Sequence, residues 1–453
     1  MSERQRSSIV VVGGGASGVL IAAHLLKSRN PDLRVTLIEK APAFGRGRAY
    51  STALPDHVLN VSAMGMSGYA DDPEHFWRWA QATGIVTDGN PAVYLPRAVY
   101  GRYLEELLQD NLERERETGR LRLLHETCLG VSPTASGVDA KLANGTSLAC
   151  HAVVLAVGHD EEPSPEHPLA IRIDSPADTP LDTQARVMIL GTGLSMIDAW
   201  LTLEHRGHRG EIVAVSRRGL LPSTHRKGKP IRLDIADIPL GTNLSYFVGW
   251  LRDLIRDTQK AGGDWRDVLD GLRPFNQRIW QSWPASAKRR FVEHTKAWWD
   301  IHRHRMAPPI HTRLTAAVEA GRIRLVAARV EAMGKDEGRI AAILQRRHSL
   351  ASETLTVDRV YDCTGIAKDL SAGSIAVVRD LIERRLARPD PLRLGLDVTE
   401  DCAVIGETGG PSGKLFAVGP LTRGTFFEIE AIPDIRAQCA RLAKVLTEGA
   451  AAN

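Results

Sequence analysis

Two glycine turns carry the chemistry that this sequence offers. The first is Gly13-x-Gly15-x-x-Gly18, set between the apolar run Ser8–Val12 and a helical pattern from Ala16 to Leu26. Gly13 permits a tight turn, Gly15 lets backbone N–H groups approach a pyrophosphate, and Gly18 lets helix and strand pack closely. The helix start, with Ala16 and Ser17, turns the positive end of its dipole toward the phosphates. Glu39 ends the next strand, Arg34–Glu39, and Lys40 follows it. A carboxylate there accepts hydrogen bonds from ribose hydroxyls and repels a 2′-phosphate. The unit therefore reads as a site for a dinucleotide with an unphosphorylated ribose. The alternative is a glycine turn that binds nothing.

The second turn is Gly191-Thr192-Gly193-Leu194-Ser195-Met196, in which Met196 takes the place of the third glycine. A strand pattern, Ala185–Leu190, precedes it; a helix, Ser195–Leu203, and a strand, Glu211–Ser216, follow. Where an acid would read the ribose of NAD, the chain has Ser216-Arg217-Arg218-Gly219. Arginine forks a 2′-phosphate and stacks on adenine, so this site is expected to take NADPH rather than NADH. A solvated loop with two ordinary arginines is the competing reading.

These turns need strands and helices to hold them, and the chain supplies the same set twice. Gly119–Leu124 opens a β-rich stretch that closes on Val153–Gly158; Gly321–Val326 opens another that closes on Val360–Gly365. Each nucleotide unit is followed by a β segment and an apolar strand ended by glycine, which reads as an internal duplication. The expected fold is α/β, with two Rossmann-like dinucleotide-binding domains, parallel sheets and β-meanders. The first domain is assigned to 1–180 and 360–453, the second to 183–359, with linkers at His159–Asp182 and Ile366–Ser374. An insertion at about 225–310 holds Trp250, Trp265, Trp280, Trp283, Trp298 and Trp299. It is expected to be mainly helical, to pack over the cleft between the domains, and to keep most of its tryptophans buried.

Composition narrows the class. At 453 residues the chain exceeds one ordinary core. It is 43% hydrophobic and 25% charged, as folded globular proteins are. A net charge of +4 helps attract an anionic cofactor but is too small and dispersed to argue for nucleic acid. No apolar run approaches the ~18 residues of a membrane span, and the polar start, Met1–Ser8, leaves no room for a secretory signal. A cytoplasmic protein acting on a small molecule is expected. The five cysteines, Cys128, Cys150, Cys363, Cys402 and Cys439, form no CxxC pair and no zinc spacing. In His302-Arg303-His304-Arg305 the histidines face different directions on a helix, so no metal site is expected. The cluster either binds an anion or is a solvated basic helix end. Hydrolase motifs such as GxSxG and HExxH are absent.

Taken together, these segments resemble the two-dinucleotide-binding flavoprotein superfamily, which includes glutathione-reductase-like enzymes and flavin-dependent N- and S-oxygenases. Gly191–Ser195 is similar to the GxGxS turn of the monooxygenase branch; Ala156-Val157-Gly158 and Cys363-Thr364-Gly365 are similar to the strand-terminal elements at the domain crossovers. Gly45–Tyr50 with Gly47 and Arg48, Leu59–Ser62 with Asn60, Leu95–Arg97 and the His302 segment resemble bacterial proteins described only as FAD–NAD(P)-binding. The resemblance implies FAD at the first turn. It adds Gly47, Arg48, Asn60, Gly158 and Gly365 to the cofactor-binding candidates, Asn60 being equally readable as a turn residue.

Two departures stand out. The superfamily often carries Gly-Asp after its C-terminal strand, with Asp on the ribityl chain; here Leu415–Val418 leads into Gly419-Pro420, so another group or the backbone must make that contact. The FxGxxxHxxxW/Y segment of Baeyer–Villiger-type enzymes is also missing. Thr425–Ile435 precedes a helix to about Leu446, with Pro433 and Asp434 suited to its first turn. In relatives such a helix points at the flavin; the plain alternative is a C-terminal packing helix. The chemistry expected is reduction of FAD by NADPH, with no protein nucleophile required. For the second half-reaction oxygen activation is favoured, and a non-oxygenating NADPH-dependent reductase or dehydrogenase stands next. A flavin-binding sensor without turnover is the reading from a different class.

Overall fold

A computed structural model describes residues 7–28, 30–159, 167–347, 349, 351–365, 370 and 373–448. The chain opens with strand β1 (Ser8–Val12), helix α1 (Ala16–Leu26), β2 (Arg34–Glu39), α2 (His75–Ala82), α3 (Arg97–Arg114) and β3 (Leu121–His125). Strands β4 (Cys128–Pro133), β5 (Val138–Leu142), β6 (Ser147–Cys150) and β7 (Ala152–Leu155) follow. The second copy starts with β8 (Val187–Leu190), α4 (Leu194–His205) and β9 (Ile212–Ser216). Helices α5 (Leu244–Lys260), α6 (Trp265–Leu272), α7 (Asn276–Ser282), α8 (Ala285–Arg290), α9 (Lys296–Arg303) and α10 (Pro308–Glu319) intervene. The copy is completed by β10 (Ile323–Asp336), β11 (Arg339–Arg346), β12 (Ser352–Val357) and β13 (Arg359–Asp362). The chain ends with α11 (Ala376–Glu383), β14 (Ala403–Ile405), β15 (Pro411–Ala417) and α12 (Ile432–Glu448).

The α/β class and two sheets with parallel cores are as the sequence predicts, each sheet being extended by antiparallel strands. One sheet is ordered β14-β15-β7-β1-β2-β3 and the other β12-β11-β10-β9-β8-β13. Within them β3-β2-β1-β7 and β10-β9-β8-β13 are the same parallel four-strand arrangement. Buried runs such as Ile9–Val12 and Val187–Leu190 suit central strands covered on both faces. The copies differ in their meanders. In the first, β4-β5-β6 is a separate antiparallel sheet; in the second, β10 runs on for 14 residues and carries β11 and β12 on the same sheet.

The chain forms two compact units, one of residues 1–160, 276–285 and 368–453, the other of 161–275 and 286–367. Residues 160–166 of the first expected linker, and 366–369, 371 and 372 of the second, lie outside the described residues. The tryptophan-rich stretch is helical from α5 to α9, but it does not stay together. Residues 276–285 pack into the first unit and the rest into the second. Only Trp280 and Trp283 are buried; Trp250, Trp265 and Trp299 are half-buried and Trp298 is exposed. The expectation of general burial therefore fails: α9, which carries Trp298 and Trp299, buries no residue fully, and Trp250 and Trp265 are only half-buried on α5 and α6. Among the described residues no helix is long and apolar enough to cross a membrane.

The second unit is braced by Asp178, whose side chain is fully buried. It accepts hydrogen bonds from Arg206 at 2.7 Å, Arg359 at 3.1 Å and the Tyr361 hydroxyl at 2.7 Å. Burial alone would raise its pKa, but the hydrogen bonds from Arg206, Tyr361 and the Asp174 N–H, together with the Arg206 charge, hold it below the usual carboxylate value. This stabilisation is complete above about pH 4, the unfolded carboxylate value, and is lost as the pH falls through the lower folded pKa. Asp178→Asn should cost about 2–3 kcal/mol, less than a fully buried pair because Arg206 keeps contact with water. Urea unfolding at pH 7 and pH 3 checks this: the variant should fall well below wild type at pH 7, and the gap should narrow at pH 3.

Candidate functional site

The first turn is built as a close approach of backbone to backbone. Gly13 has φ +101°, and a Cβ on it would lie 2.6 Å from the Ala156 carbonyl oxygen. A Cβ on Gly18 would lie 1.8 Å from the Gly13 carbonyl oxygen, so α1 can sit on β1 only with glycine there. Gly15 faces Gly47, which has φ +50°, and a Cβ on Gly15 would come 3.3 Å from the Gly47 Cα. Two bare backbones thus meet beside the first turn of α1, where Ala16 and Ser17 begin the helix. This is the cradle that a pyrophosphate needs.

Glu39 has a second task that its spacing alone did not reveal. Its Oε2 accepts the Gly14 N–H at 2.6 Å and its Oε1 accepts the Ala41 N–H at 2.8 Å. A carboxylate offers about four lone-pair sites, so roughly two remain to accept further hydrogen bonds. The side chain is half-buried, while Lys40 and Arg48 are exposed and Asn60 is half-buried in a bend. Gly158 has φ +74° just beyond β7, with open space where a Cβ would project.

At the other end of this unit, Gly419 takes over where the superfamily has Gly-Asp. It has φ +73°, and a Cβ on it would strike the Ser17 hydroxyl at 2.4 Å. Its N–H donates to Gln438 Oε1 at 2.7 Å, and Gln438 Nε2 donates to the Thr422 hydroxyl at 3.0 Å. Gln438, on α12, is a residue the sequence reading missed, because nothing local links it to a turn nineteen positions earlier. Pro433 is the second residue of α12, and Asp434 lies in that helix's first turn. The loop leading there is held by the segment 276–285 of the same unit. Trp280 stacks on Phe427 with ring centroids 4.7 Å apart and donates its N–H to the Gly424 carbonyl at 2.8 Å. Asn276 Nδ2 donates to Glu428 Oε2 at 2.8 Å.

The second turn repeats the backbone and changes the chemistry. Gly191 has φ +102° and would clash with the Cys363 carbonyl if it carried a Cβ, as Gly13 would with Ala156. Gly193 is exposed with nothing within 4 Å of its would-be Cβ, and Ser195 is exposed at the helix start. Met196 is fully buried, so a side chain is accommodated where the first copy has room for none.

The ladder identifies the counterpart of Glu39. Gly13 N–H donates to the Ile38 carbonyl and Gly191 N–H to the Val215 carbonyl, each at 2.8 Å, so Ser216 matches Glu39. The Ser216 hydroxyl is 2.9 Å from that of Thr192, which matches Gly14, and accepts the Gly219 N–H at 3.0 Å. The anion is gone, and in its place the Thr192 and Ser216 hydroxyls contact each other while Thr192 Oγ1 donates to the Leu220 carbonyl at 2.6 Å. Arg217 is exposed, and Arg218 donates from Nη2 to the His294 carbonyl at 2.9 Å. Gly365 has φ +117° just beyond β13. Of the basic cluster at 302–305, Arg305 is buried and ion-paired with Asp270, and His302 Nδ1 contacts the Trp298 carbonyl at 2.7 Å. Those two contacts are structural.

All five cysteines are unpaired, four of them buried and Cys363 half-buried. Burial raises the thiols of Cys128 to about 11 and of Cys150, Cys363 and Cys402 to about 12, and lifts Cys439 well above its ordinary value. None is a thiolate at neutral pH, which is the form that attacks a disulfide.

Residues 10–160 match the FAD-NAD(P)-binding family model. No curated protein matches the sequence. Three solved structures show how widely the fold is shared. The cadaverine monooxygenase of Erwinia amylovora, bound to FAD, is 12% identical with a TM-score of 0.66, covering 97% of this chain and 94% of its own. The ornithine N-hydroxylase of Kutzneria sp. 744, with reduced FAD, NADP+ and L-ornithine, is 13% identical with a TM-score of 0.63, covering 97% and 99%. The thioredoxin reductase of Lactococcus lactis is 11% identical with a TM-score of 0.51, covering 98% and 99%. The chain thus has the fold of the two-dinucleotide-binding flavoproteins, as its resemblance implied. Its N-terminal third carries the FAD-NAD(P)-binding pattern of that group.

Proposed function

We propose that the protein is an FAD-dependent, NADPH-using monooxygenase that acts on a small amine. The carrying observation is the turn built twice in one register, once ending in Glu39 and once in Ser216 followed by Arg217 and Arg218. One copy suits a dinucleotide with a free ribose and the other a dinucleotide with a 2′-phosphate. The fold alone does not choose an outlet, since oxygenases and a disulfide reductase share it. The cysteines argue against one outlet: a disulfide relay needs a nearby thiolate pair, and all five cysteines are unpaired, with burial raising their thiols. The amine is suggested by what the cadaverine and ornithine enzymes act on.

In this reading Gly13, Gly15, Ala16, Ser17, Gly18 and Gly47 hold the FAD pyrophosphate against the α1 N-terminus, and Glu39 holds the ribose. Gly419, fixed by Gln438, and the start of α12 at Pro433 serve the flavin end, with Lys40, Arg48, Asn60 and Gly158 around them. Gly191, Gly193 and Ser195 receive the NADPH pyrophosphate, Arg217 and Arg218 its 2′-phosphate, and Gly365 borders that turn. The flavin, when bound, supplies the electron transfer and the oxygen activation. The chain's own part is to bind, orient and exclude water.

Glu39→Arg removes the ribose acceptors and also releases the Gly14 and Ala41 N–H groups. The purified variant should carry far less than one FAD per chain by absorbance; full occupancy would contradict the assignment. The outlet is tested by supplying NADPH and air with lysine, ornithine or cadaverine in turn. One amine should accelerate NADPH consumption and appear as a product one oxygen atom heavier. NADPH consumption that yields only hydrogen peroxide with every amine would instead mark a non-oxygenating reductase, and no consumption a flavin-bearing sensor.

A further inference from the structure

A third arginine stands beside Arg217 and Arg218, brought there by the sheet rather than by sequence. Ser216 on β9 pairs with Ala327 on β10. The Ala327 carbonyl in turn accepts the Arg347 N–H at 2.9 Å, just past the end of β11. Ser216, Ala327 and Arg347 therefore form a row across three adjacent strands, with Arg347 two inter-strand steps, or about 10 Å, from Ser216. The loop that carries Arg217 and Arg218 leans the same way: a Cβ on Gly219 would lie 3.2 Å from the Ala327 Cβ.

Three arginines thus gather at the carboxyl end of β9, close enough for the Arg217 and Arg347 charges to act on Arg218, and among the described residues no ion pair joins a carboxylate to any of them. This is unusual for a chain whose other arginines are so often ion-paired, for example Arg206, Arg324, Arg339 and Arg346. Arg218 is held in place from the other side. Its Nη2 is tied to the His294 carbonyl, and its guanidinium lies 5.8 Å from the ring centroid of Trp298, the one exposed tryptophan among the nine. Its Nη1 is buried with no hydrogen-bond partner. Burial, then the charges of Arg347 and Arg217, lower its pKa. Like charges crowded around an unfilled donor are costly alone and favourable around a dianion.

We propose that Arg347 is a third reader of the adenosine 2′-phosphate, and that Trp298 and the His294 carbonyl act as positioning groups that aim Arg218 at it. The inference rests on the second turn being an NADPH site and names residues of that site which no local motif points to. It also gives part of the helical insertion a task, since α9 supplies Trp298.

The test uses binding rather than turnover. Calorimetric titration compares adenosine 2′,5′-bisphosphate with adenosine 5′-monophosphate on the FAD-loaded full chain. Wild type should prefer the bisphosphate at least tenfold. Arg347→Ala should reduce that preference about tenfold and Arg347→Glu abolish it, with the monophosphate affinity unchanged in both. Trp298→Ala should reduce the preference about threefold, in keeping with an exposed cation–π contact. Thermal melts of all variants should match wild type, because Arg347 is exposed and its structural bond uses the backbone. If wild type prefers the bisphosphate and both Arg347 variants keep that preference, Arg347 is no reader and the inference is overturned while the NADPH site stands. If wild type shows no preference, the NADPH reading itself fails, and the inference with it.

Discussion

Gly18→Ala is expected to yield a chain that retains almost no flavin and unfolds about 3 kcal/mol more easily than wild type. One methyl group would stand 1.8 Å from the Gly13 carbonyl oxygen and 3.2 Å from Leu37 Cδ1. Inserting a methyl into a packed site typically costs 1–3 kcal/mol, and this one belongs at the upper end because a backbone oxygen cannot rotate away. To relieve it α1 must lift from β1, which also withdraws the helix N-terminus from the phosphate cradle. Gly193→Ala is the control. Nothing lies within 4 Å of that Cβ, so stability should be unchanged and any loss of NADPH binding reflects the lost approach of the pyrophosphate. Denaturant unfolding and the FAD-to-protein absorbance ratio check both variants. A Gly18→Ala protein with full flavin and wild-type stability would contradict the packing described for α1.

The second large effect belongs to the nicotinamide cofactor. Arg217→Ala with Arg218→Ala should raise the apparent NADPH constant ten- to hundredfold and leave NADH nearly unchanged. A charge-assisted contact to phosphate contributes on the order of 1.5–3 kcal/mol, and about 1.4 kcal/mol is a factor of ten. The rate of flavin reduction at saturation should change little, since these groups bind ground and transition states alike. Arg217→Ala alone separates the effect from any disturbance at His294, which only Arg218 touches. Stopped-flow reduction with both nucleotides decides it. Equal losses for NADH and NADPH would mean that the arginines do not read the phosphate.

What the sequence made legible was local. Ser8–Val12, Ala16–Leu26 and Arg34–Glu39 are observed with the bounds their periodicity implied, because a buried strand and its glycine turn are specified by adjacent residues. The second turn was legible despite Met196, since its register is set by the strands around it. What stayed hidden depends on partners far along the chain. Gln438 answers Gly419 through tertiary packing, and Arg347 joins Arg218 only because three strands line up. Trp280 and Trp283 leave the other insertion tryptophans because Phe427 and the Gly424 carbonyl, about 144 positions away, complete a stacked and hydrogen-bonded site. Trp298 stays exposed on α9, a helix in which no residue is fully buried. The clustering of tryptophans in sequence carried no information on which would be covered.

The central claim is one FAD per chain at the Glu39 turn, reduced by NADPH bound at the arginine turn. Mixing the purified protein with NADPH or NADH in the absence of air, and following flavin absorbance, tests it most directly. The protein should be yellow with about one non-covalent FAD per chain. NADPH should bleach it within seconds, and NADH should need at least a tenfold higher concentration for the same rate. A colourless protein that takes up no FAD, or a flavin that stays oxidised with both nucleotides, would contradict the account.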